Sequence, residues 1–159
     1  MTQEKSQILI VDDDKGITGS LSAVLESEGY RTEVAHTMKE AIEKSYENDY
    51  NLAILDIKLP DGEGTSLLKA LRETSPKMMK IMLTGYPMLE NSINSLNEGA
   101  VAYLIKPVDV EKLLETIKSK IKEQKTVEMA TEESIAVFLQ TRTKKLLTEK
   151  KCYPQDAMS

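Results

Sequence analysis

Acidic, hydroxyl and amine side chains end four short apolar runs in this 159-residue chain. Asp12 and Asp13 follow the first run, Asp56 ends the second, and Thr84 and Lys106 end the third and fourth. If these runs are parallel strands of one sheet, their carboxyl ends deliver the five side chains to one crevice. Carboxylate oxygens suit Mg²⁺, and a hydroxyl and an ammonium suit the oxygens of a phosphoryl group. The sequence therefore predicts a site for magnesium and a phosphoryl group.

Three carboxylates of this predicted site, Asp12, Asp13 and Asp56, carry like charges that repel when crowded, so the cluster is costly until a divalent cation arrives. A carboxylate can also attack phosphorus and form an aspartyl phosphate when the incoming oxygens are neutralised. Asp14 is expected to cap the first helix rather than bind metal. His36, the only histidine, is expected on the surface, away from the site.

The elements that position these residues alternate between apolar runs and amphipathic stripes. Strands are predicted at 7–11, 32–35, 52–55, 80–83 and 101–105. Apolar residues at helical spacing fill the intervals and follow the last strand. This alternation predicts an α/β fold, a flavodoxin-like (βα)5 doubly wound parallel sheet with strand order 2-1-3-4-5. In that order the first and third strands, which both end in aspartate, lie side by side at the ligand crevice.

Signals at the helix ends agree with these boundaries. Gly29 follows the first predicted helix, where a left-handed C-cap would lie. Thr37 and Glu40 have the spacing of a capping box at the start of the second helix. Asp109 is placed to cap the fifth helix. The fourth helix is predicted from the apolar spacing within 89–96.

Composition excludes several classes of protein. A net charge of −5 argues against a chain that binds nucleic acid directly. The apolar runs are too short to span a bilayer, so no membrane partner is expected. The N-terminus lacks a signal-peptide core, and the single cysteine, Cys152, permits no internal disulfide. These features predict a cytoplasmic protein.

Four motifs carry a resemblance to a known family. They are VDDD, LDIKLPDG, LTG and YLIKP, each at a predicted strand end and in this order. Together they resemble the receiver domain of bacterial and archaeal two-component response regulators, over residues 7 to about 123. We therefore expect a stand-alone type of receiver domain at 1–123 and a C-terminal helical extension at 124–159.

The resemblance implies a role for each acidic residue. Asp56 would be the phosphoacceptor, and Asp13 a direct Mg²⁺ ligand. Asp12 would hold metal-bound water beside it, and the main-chain carbonyl of Lys58 would complete the protein's ligands to the metal.

The resemblance also implies roles on the last two strands. Thr84 and Lys106 would bind the phosphoryl oxygens, with Lys106 joined to Pro107 by a cis peptide. Tyr103 occupies the position of the family's rotating aromatic switch residue. Thr84 and Tyr103 would together report phosphorylation to the outer surface.

The function that follows is a phosphorelay switch. A sensor histidine kinase or phosphotransfer protein would present a phosphohistidine, and Asp56 would accept the phosphoryl group with Mg²⁺. The face formed by the fourth helix, fifth strand and fifth helix would then change to control a downstream protein partner or self-association. We expect self-phosphorylation and autodephosphorylation but no turnover enzyme.

A magnesium-dependent phosphohydrolase with an aspartate nucleophile is the alternative. Enzymes similar to haloacid dehalogenases also place a nucleophile, a hydroxyl and a lysine at strand ends. They carry a second aspartate two residues after the nucleophile as general acid, whereas this chain has Lys58 there. That difference favours the switch.

The extension has the pattern of one amphipathic helix from about 131 to 150. Its stripe contains Ile135, Phe138, Leu139, Arg142 and Leu146. The stripe either packs back on the receiver or forms a docking or homodimer surface; the sequence leaves both open. Residues 153–159 are expected to fray.

Overall fold

The structure is a computed structural model that describes residues 5–85 and 99–152, with side chains of the last helix described as far as Lys144. The predicted fourth helix at 89–96 lies outside the described residues. The predicted frayed end at 153–159 does so too.

A five-stranded parallel sheet forms the centre of the fold. Its strands are β1 (Gln7–Val11), β2 (Arg31–Ala35), β3 (Leu52–Asp56), β6 (Met79–Thr84) and β7 (Ala102–Ile105). They lie in the order β2-β1-β3-β6-β7, and every neighbouring pair is parallel. Counted along the chain this is 2-1-3-4-5, so the predicted flavodoxin-like fold is confirmed. A short antiparallel hairpin, β4 (Lys58–Leu59) and β5 (Gly62–Glu63), follows β3.

Four helices lie in the described part of the chain. They are α1 (Lys15–Ser27), α2 (Met38–Glu47), α3 (Gly64–Thr74) and α4 (Val110–Cys152). The last differs from the prediction, because the fifth helix of the (βα)5 pattern and the tail helix are one continuous helix. No glycine or proline occurs between 108 and 152, so nothing in the local sequence ends the helix near residue 123.

The sheet is buried on both faces, which explains its continuous apolar runs. Alternate residues of β1 and β3 point to opposite sides. Leu9 and Leu55 pack on the side that holds α2 and α3. Ile10 and Ile54 pack on the side that holds α1 and the start of α4, where Leu113, Ile117 and Ile121 cover the sheet.

The chain divides into two compact units, Met1–Ile121 and Lys122–Ser159. The first contains the sheet and its helices, and the second contains the remainder of α4. No helix among the residues that the structure describes is long and apolar enough to cross a membrane.

The predicted helix caps are present with one change. Asp14 caps α1 by accepting from the main-chain nitrogens of Gly16 and Ile17 at 2.9 and 3.2 Å, and Gly29 has φ 94°. Thr37 caps α2 by accepting from Glu40 N at 3.1 Å. The Glu40 carboxylate accepts from the main-chain nitrogen of His36 at 3.1 Å, one residue before the partner that the capping box predicts.

A close backbone approach at Gly64 fixes the start of α3 against the end of β3. The main-chain nitrogen of Gly64 donates to the carbonyl of Ile57 at 2.5 Å. A Cβ at this position would lie 2.8 Å from Ile57 Cα and closer still to the carbonyl oxygen of Asp56. Neither backbone group can move without shifting the loop that follows β3.

We predict that Gly64→Ala lowers the free energy of unfolding by about 2 kcal/mol or more, because the added methyl group overlaps fixed backbone. Gly19→Ala is the matched control, since nothing lies within 4 Å of the added Cβ in the middle of α1. That control should raise stability by about 0.5–1 kcal/mol through helix propensity. Urea denaturation of both variants checks the pair, and equal effects of the two substitutions would contradict it.

Candidate functional site

The sheet order delivers the predicted site residues to one edge. Asp12 and Asp13 follow β1, and Asp56 is the last residue of β3, which pairs with β1 through Val11 and Leu55. The main-chain nitrogen of Asp12 continues the sheet by donating to Ala35 O at 3.1 Å. The carboxylates therefore lie side by side at the carboxyl ends of adjacent strands.

Three carboxylates form an acidic cluster there. One oxygen from each of Asp12, Asp13 and Asp56 lies within 4.8 Å of the others. Asp12 and Asp56 are buried and Asp13 is exposed. An all-oxygen donor set open to solvent on one side suits a hard divalent cation that keeps some of its waters. The cluster can thus hold a metal ion.

Lys106 supplies the positive charge of the site. Its Nζ lies 2.7 Å from Asp12 Oδ2 and 3.4 Å from Asp56 Oδ2. Burial acts to lower the pKa of Lys106, but its hydrogen bond and ion pair with Asp12, together with Asp56, outweigh burial and raise that pKa. Lys106 therefore stays charged and links the two buried carboxylates.

The pKa of Asp56 is raised. Burial is the main cause and the neighbouring charge of Asp12 adds to it, while Lys106 and the main-chain N–H of Lys58 act in the opposite direction. The N–H of Lys58 donates to Asp56 Oδ1 at 3.4 Å. The negative charge of a carboxylate that is buried beside another carboxylate is only partly compensated. An added cation, or a covalent bond to the carboxylate oxygen, therefore relieves repulsion there.

Thr84 and Tyr103 lie on the two strands that complete the site. Thr84 is fully buried at the end of β6 and pairs with Ile105 of β7. Its carbonyl accepts from the main-chain nitrogen of Lys106 at 2.6 Å, and the Lys106–Pro107 peptide is cis as predicted. Tyr103 is half-buried and packs against the core on the α2 and α3 side.

The loop after Asp56 is held by an aspartate that sequence reasoning missed. Asp61, in the turn of the β4–β5 hairpin, accepts from the main-chain nitrogens of Met38 and Lys39 at 2.8 and 2.9 Å. These hydrogen bonds lower the pKa of Asp61. The carboxylate thereby ties the hairpin that contains Lys58 to the first turn of α2. Its position in an Asp-Gly turn was visible in the sequence, but its partners lie more than 20 residues away.

The prediction for His36 is wrong. Its Nδ1 lies 3.0 Å from the carbonyl oxygen of Asp12, so the half-buried ring contacts the main chain of the acidic cluster. A carbonyl can only accept, so Nδ1 carries the hydrogen in this contact. The parallel register that pairs Val11 with Ala35 brings residue 36 beside residue 12, and this register cannot be read from one strand alone.

We predict that Asp56→Asn stabilises the metal-free protein at neutral pH. Because the pKa of Asp56 is raised in the fold, the folded state binds more protons than the unfolded state at pH values between the unfolded and the folded pKa of this carboxyl group. Wild-type stability therefore falls as pH rises through that interval. The asparagine of the variant does not titrate, so its advantage should be small near pH 3.8 and should grow toward neutrality. Thermal unfolding in chelator across this range measures it.

Asp49→Asn is the control, because Asp49 is exposed in the loop before β3. The same loss of one negative charge at this exposed position should not stabilise the protein at neutral pH. If both substitutions behave alike, or if Asp56→Asn destabilises the protein at pH 7, the crowding of Asp56 is refuted.

A sequence model of the response regulator receiver domain matches residues 8–118. The chain is also 34% identical over 123 residues to the uncharacterized transcriptional regulatory protein YkoG of Bacillus subtilis. That match covers 77% of this chain and 54% of YkoG. The chain thus spans about half the length of this curated relative.

Two solved structures are similar to this one. A CheY-like response regulator receiver domain protein from Methanospirillum hungatei is 51% identical, with a TM-score of 0.76 over 77% of this chain and 98% of that one. A response regulator protein from Burkholderia pseudomallei is 28% identical, with a TM-score of 0.69 over 78% and 73% of the two chains. The resemblance carried by the four motifs is confirmed, and the chain belongs to the family of response regulator receiver domains of two-component systems.

Proposed function

We propose that this chain is the phosphoacceptor of a two-component phosphorelay and that Asp56 takes the phosphoryl group. The donor is a phosphohistidine on a sensor histidine kinase or phosphotransfer protein in the cytoplasm. The observation that carries the proposal is the crowding of Asp56 with Asp12 and Asp13 beside the Lys106 ammonium. A nucleophile, a divalent-cation site and a fixed positive charge meet there at one sheet edge.

The transfer is a single displacement at phosphorus. An oxygen of the Asp56 carboxylate forms the new O–P bond, the N–P bond of the phosphohistidine breaks, and the imidazole leaves with the bonding electron pair and takes up a proton. Lys106 is charged and within reach of Asp56, so it stabilises the negative oxygens of the phosphoryl group. The Thr84 hydroxyl is the second group proposed to bind those oxygens.

Mg²⁺ is the cofactor that we propose for the acidic cluster. Asp13, Asp56 and the carbonyl of Lys58 would hold it, with Asp12 binding metal-bound water. Bound there, it would neutralise phosphoryl oxygens and allow two anions to approach. The structure of the Burkholderia pseudomallei relative contains a phosphorylated aspartic acid and a calcium ion, which supports this pairing of a modified aspartate with a divalent cation.

Phosphorylation would be read on the last two strands of the sheet. A phosphoryl group carries about two negative charges and strong acceptor oxygens, which favour an inward position of the Thr84 side chain. Tyr103 would then occupy the space that Thr84 leaves. The surface formed by the predicted fourth helix at 89–96, β7 and the start of α4 would change with these two side chains. That change would control a downstream protein partner or self-association, with a coupling free energy of about 1–3 kcal/mol.

We further propose that residues 1–123 act as the receiver domain and that 124–159 form a helical extension to it. The receiver would be a switch and not a turnover enzyme. A hydrolase of this chemistry needs a second acid two residues after its nucleophile, and the exposed side chain of Lys58 lies there instead. What Asp56 receives from that residue is a main-chain hydrogen bond.

Incubation of the full chain with Mg²⁺ and phosphoramidate tests the proposal. We expect one phosphoryl group per chain by intact mass, mapped to Asp56 and absent from Asp56→Asn. Lys106→Met should slow the labelling at least tenfold, by about 1.4 kcal/mol or more of transition-state stabilisation. Asp14→Asn is the matched control and should label as the wild type does.

Two results would count against the proposal. Labelling that survives Asp56→Asn would remove the phosphoacceptor, and repeated turnover of p-nitrophenyl phosphate by the wild type would favour the hydrolase.

A further inference from the structure

The part of α4 beyond residue 122 carries large apolar side chains that are more than half exposed. Four of them lie toward one side of the helix at helical spacing: Val127 (64% exposed), Ile135 (54%), Phe138 (59%) and Leu139 (56%). Two more, Met129 (62%) and Val137 (61%), lie on the other side of the helix. A cluster of four exposed apolar side chains on one side of a helix is typical of an interaction surface.

A regular seam runs along this side. Glu128, Thr131, Ile135, Phe138 and Arg142 follow one another at intervals of three, four, three and four residues. That alternation is the spacing of the contact line between two coiled helices. Ile135 lies at the centre of the seam with Phe138 next to it, and one charged residue, Glu128 or Arg142, lies at each end.

The end charges distinguish between partner orientations when the partner is a second copy of the chain. Glu128 and Arg142 lie seven residues before and after Ile135, so they are equidistant from the centre of the seam. In a parallel, in-register pair the two copies of Glu128 would face each other at one end and the two copies of Arg142 at the other, so like charges would repel at both ends. In an antiparallel pair each Glu128 would come level with the Arg142 of the other chain, which is attractive at both ends. Charges at such positions select the orientation of a helix pair, because placing like charges together is strongly unfavourable.

We propose that a second copy of this chain docks on the seam, with the two α4 helices antiparallel and centred near Ile135. The two copies of Ile135 meet at the centre, and Phe138 and Leu139 of each copy lie three and four residues beyond it, one set on either side. Val127 lies farther out, eight residues from Ile135. Glu128 of each copy pairs with Arg142 of the other. The surface is formed by the extension alone, so it does not depend on phosphoryl transfer at Asp56.

The single cysteine reports the orientation. Cys152 ends α4, 17 residues after Ile135. At 1.5 Å per residue the two Cys152 residues of an antiparallel pair lie about 50 Å apart, whereas those of a parallel pair lie side by side. Oxidation can therefore join Cys152 to Cys152 only within a parallel pair.

Sedimentation of the full chain over a range of concentrations tests the pairing. We expect a reversible dimer that Glu128→Arg or Arg142→Glu alone weakens about tenfold or more, because each substitution places like charges together at both ends. The double variant should restore the wild-type dissociation constant. Glu133→Arg is the matched control, since residue 133 lies on the opposite side of α4, and it should leave the dimer unchanged.

Cross-linking tests the orientation separately. Under mild oxidation the wild type should form no Cys152 disulfide dimer, while Ser134→Cys in a Cys152→Ser background should be joined efficiently by a short bis-maleimide. A monomer at all concentrations would overturn the proposal, as would single charge reversals without effect. A rapid Cys152 disulfide dimer would overturn the antiparallel arrangement. Phosphoryl labelling of Asp56 in the charge variants should match the wild type, which separates failure of the pairing from failure of the proposed function.

Discussion

The site depends on the ammonium of Lys106 lying between two buried carboxylates. Asp12 and Lys106 are 94 residues apart in the chain, yet their charged groups are 2.7 Å apart. Asp12 follows β1 and Lys106 follows β7, and β3 and β6 lie between those strands. The same lysine lies 3.4 Å from Asp56 at the end of β3. Correct strand order is therefore the condition under which the negative charges of the site are compensated at all.

The crowding at Asp56 is only partly compensated. Lys106 does not cancel the effects of burial and of Asp12, since the pKa of Asp56 stays raised. Electrostatic repulsion of this kind lowers the stability of the fold and is typical of sites that react or bind ligands. Two features hold the loop beyond Asp56 in place. Gly64 permits α3 to approach the end of β3, and Asp61 ties the intervening hairpin to α2.

The sequence predicted the sheet and the residues that meet at its edge because both are recorded in local patterns. A parallel strand buried on both faces reads as an apolar run, and the residue that ends the run lies at the ligand edge. Caps such as Asp14 are equally local. The positions of His36 and Asp61 were not predictable in this way, because each depends on a partner brought close by the fold. The length of α4 was missed for another reason: the end of one apolar stripe near residue 121 does not end a helix that contains no breaking residue.

The divalent-cation site is the claim from which the proposed chemistry follows, and a thermal titration with Mg²⁺ tests it most directly. A cation that binds only the folded state should stabilise the wild type by about 2.7 kcal/mol at one hundred times its dissociation constant. That stabilisation should be lost in Asp13→Asn. It should persist in Asp14→Asn, where asparagine still caps α1. A wild type that does not respond to Mg²⁺, or an Asp13→Asn variant that responds equally, would contradict the metal site.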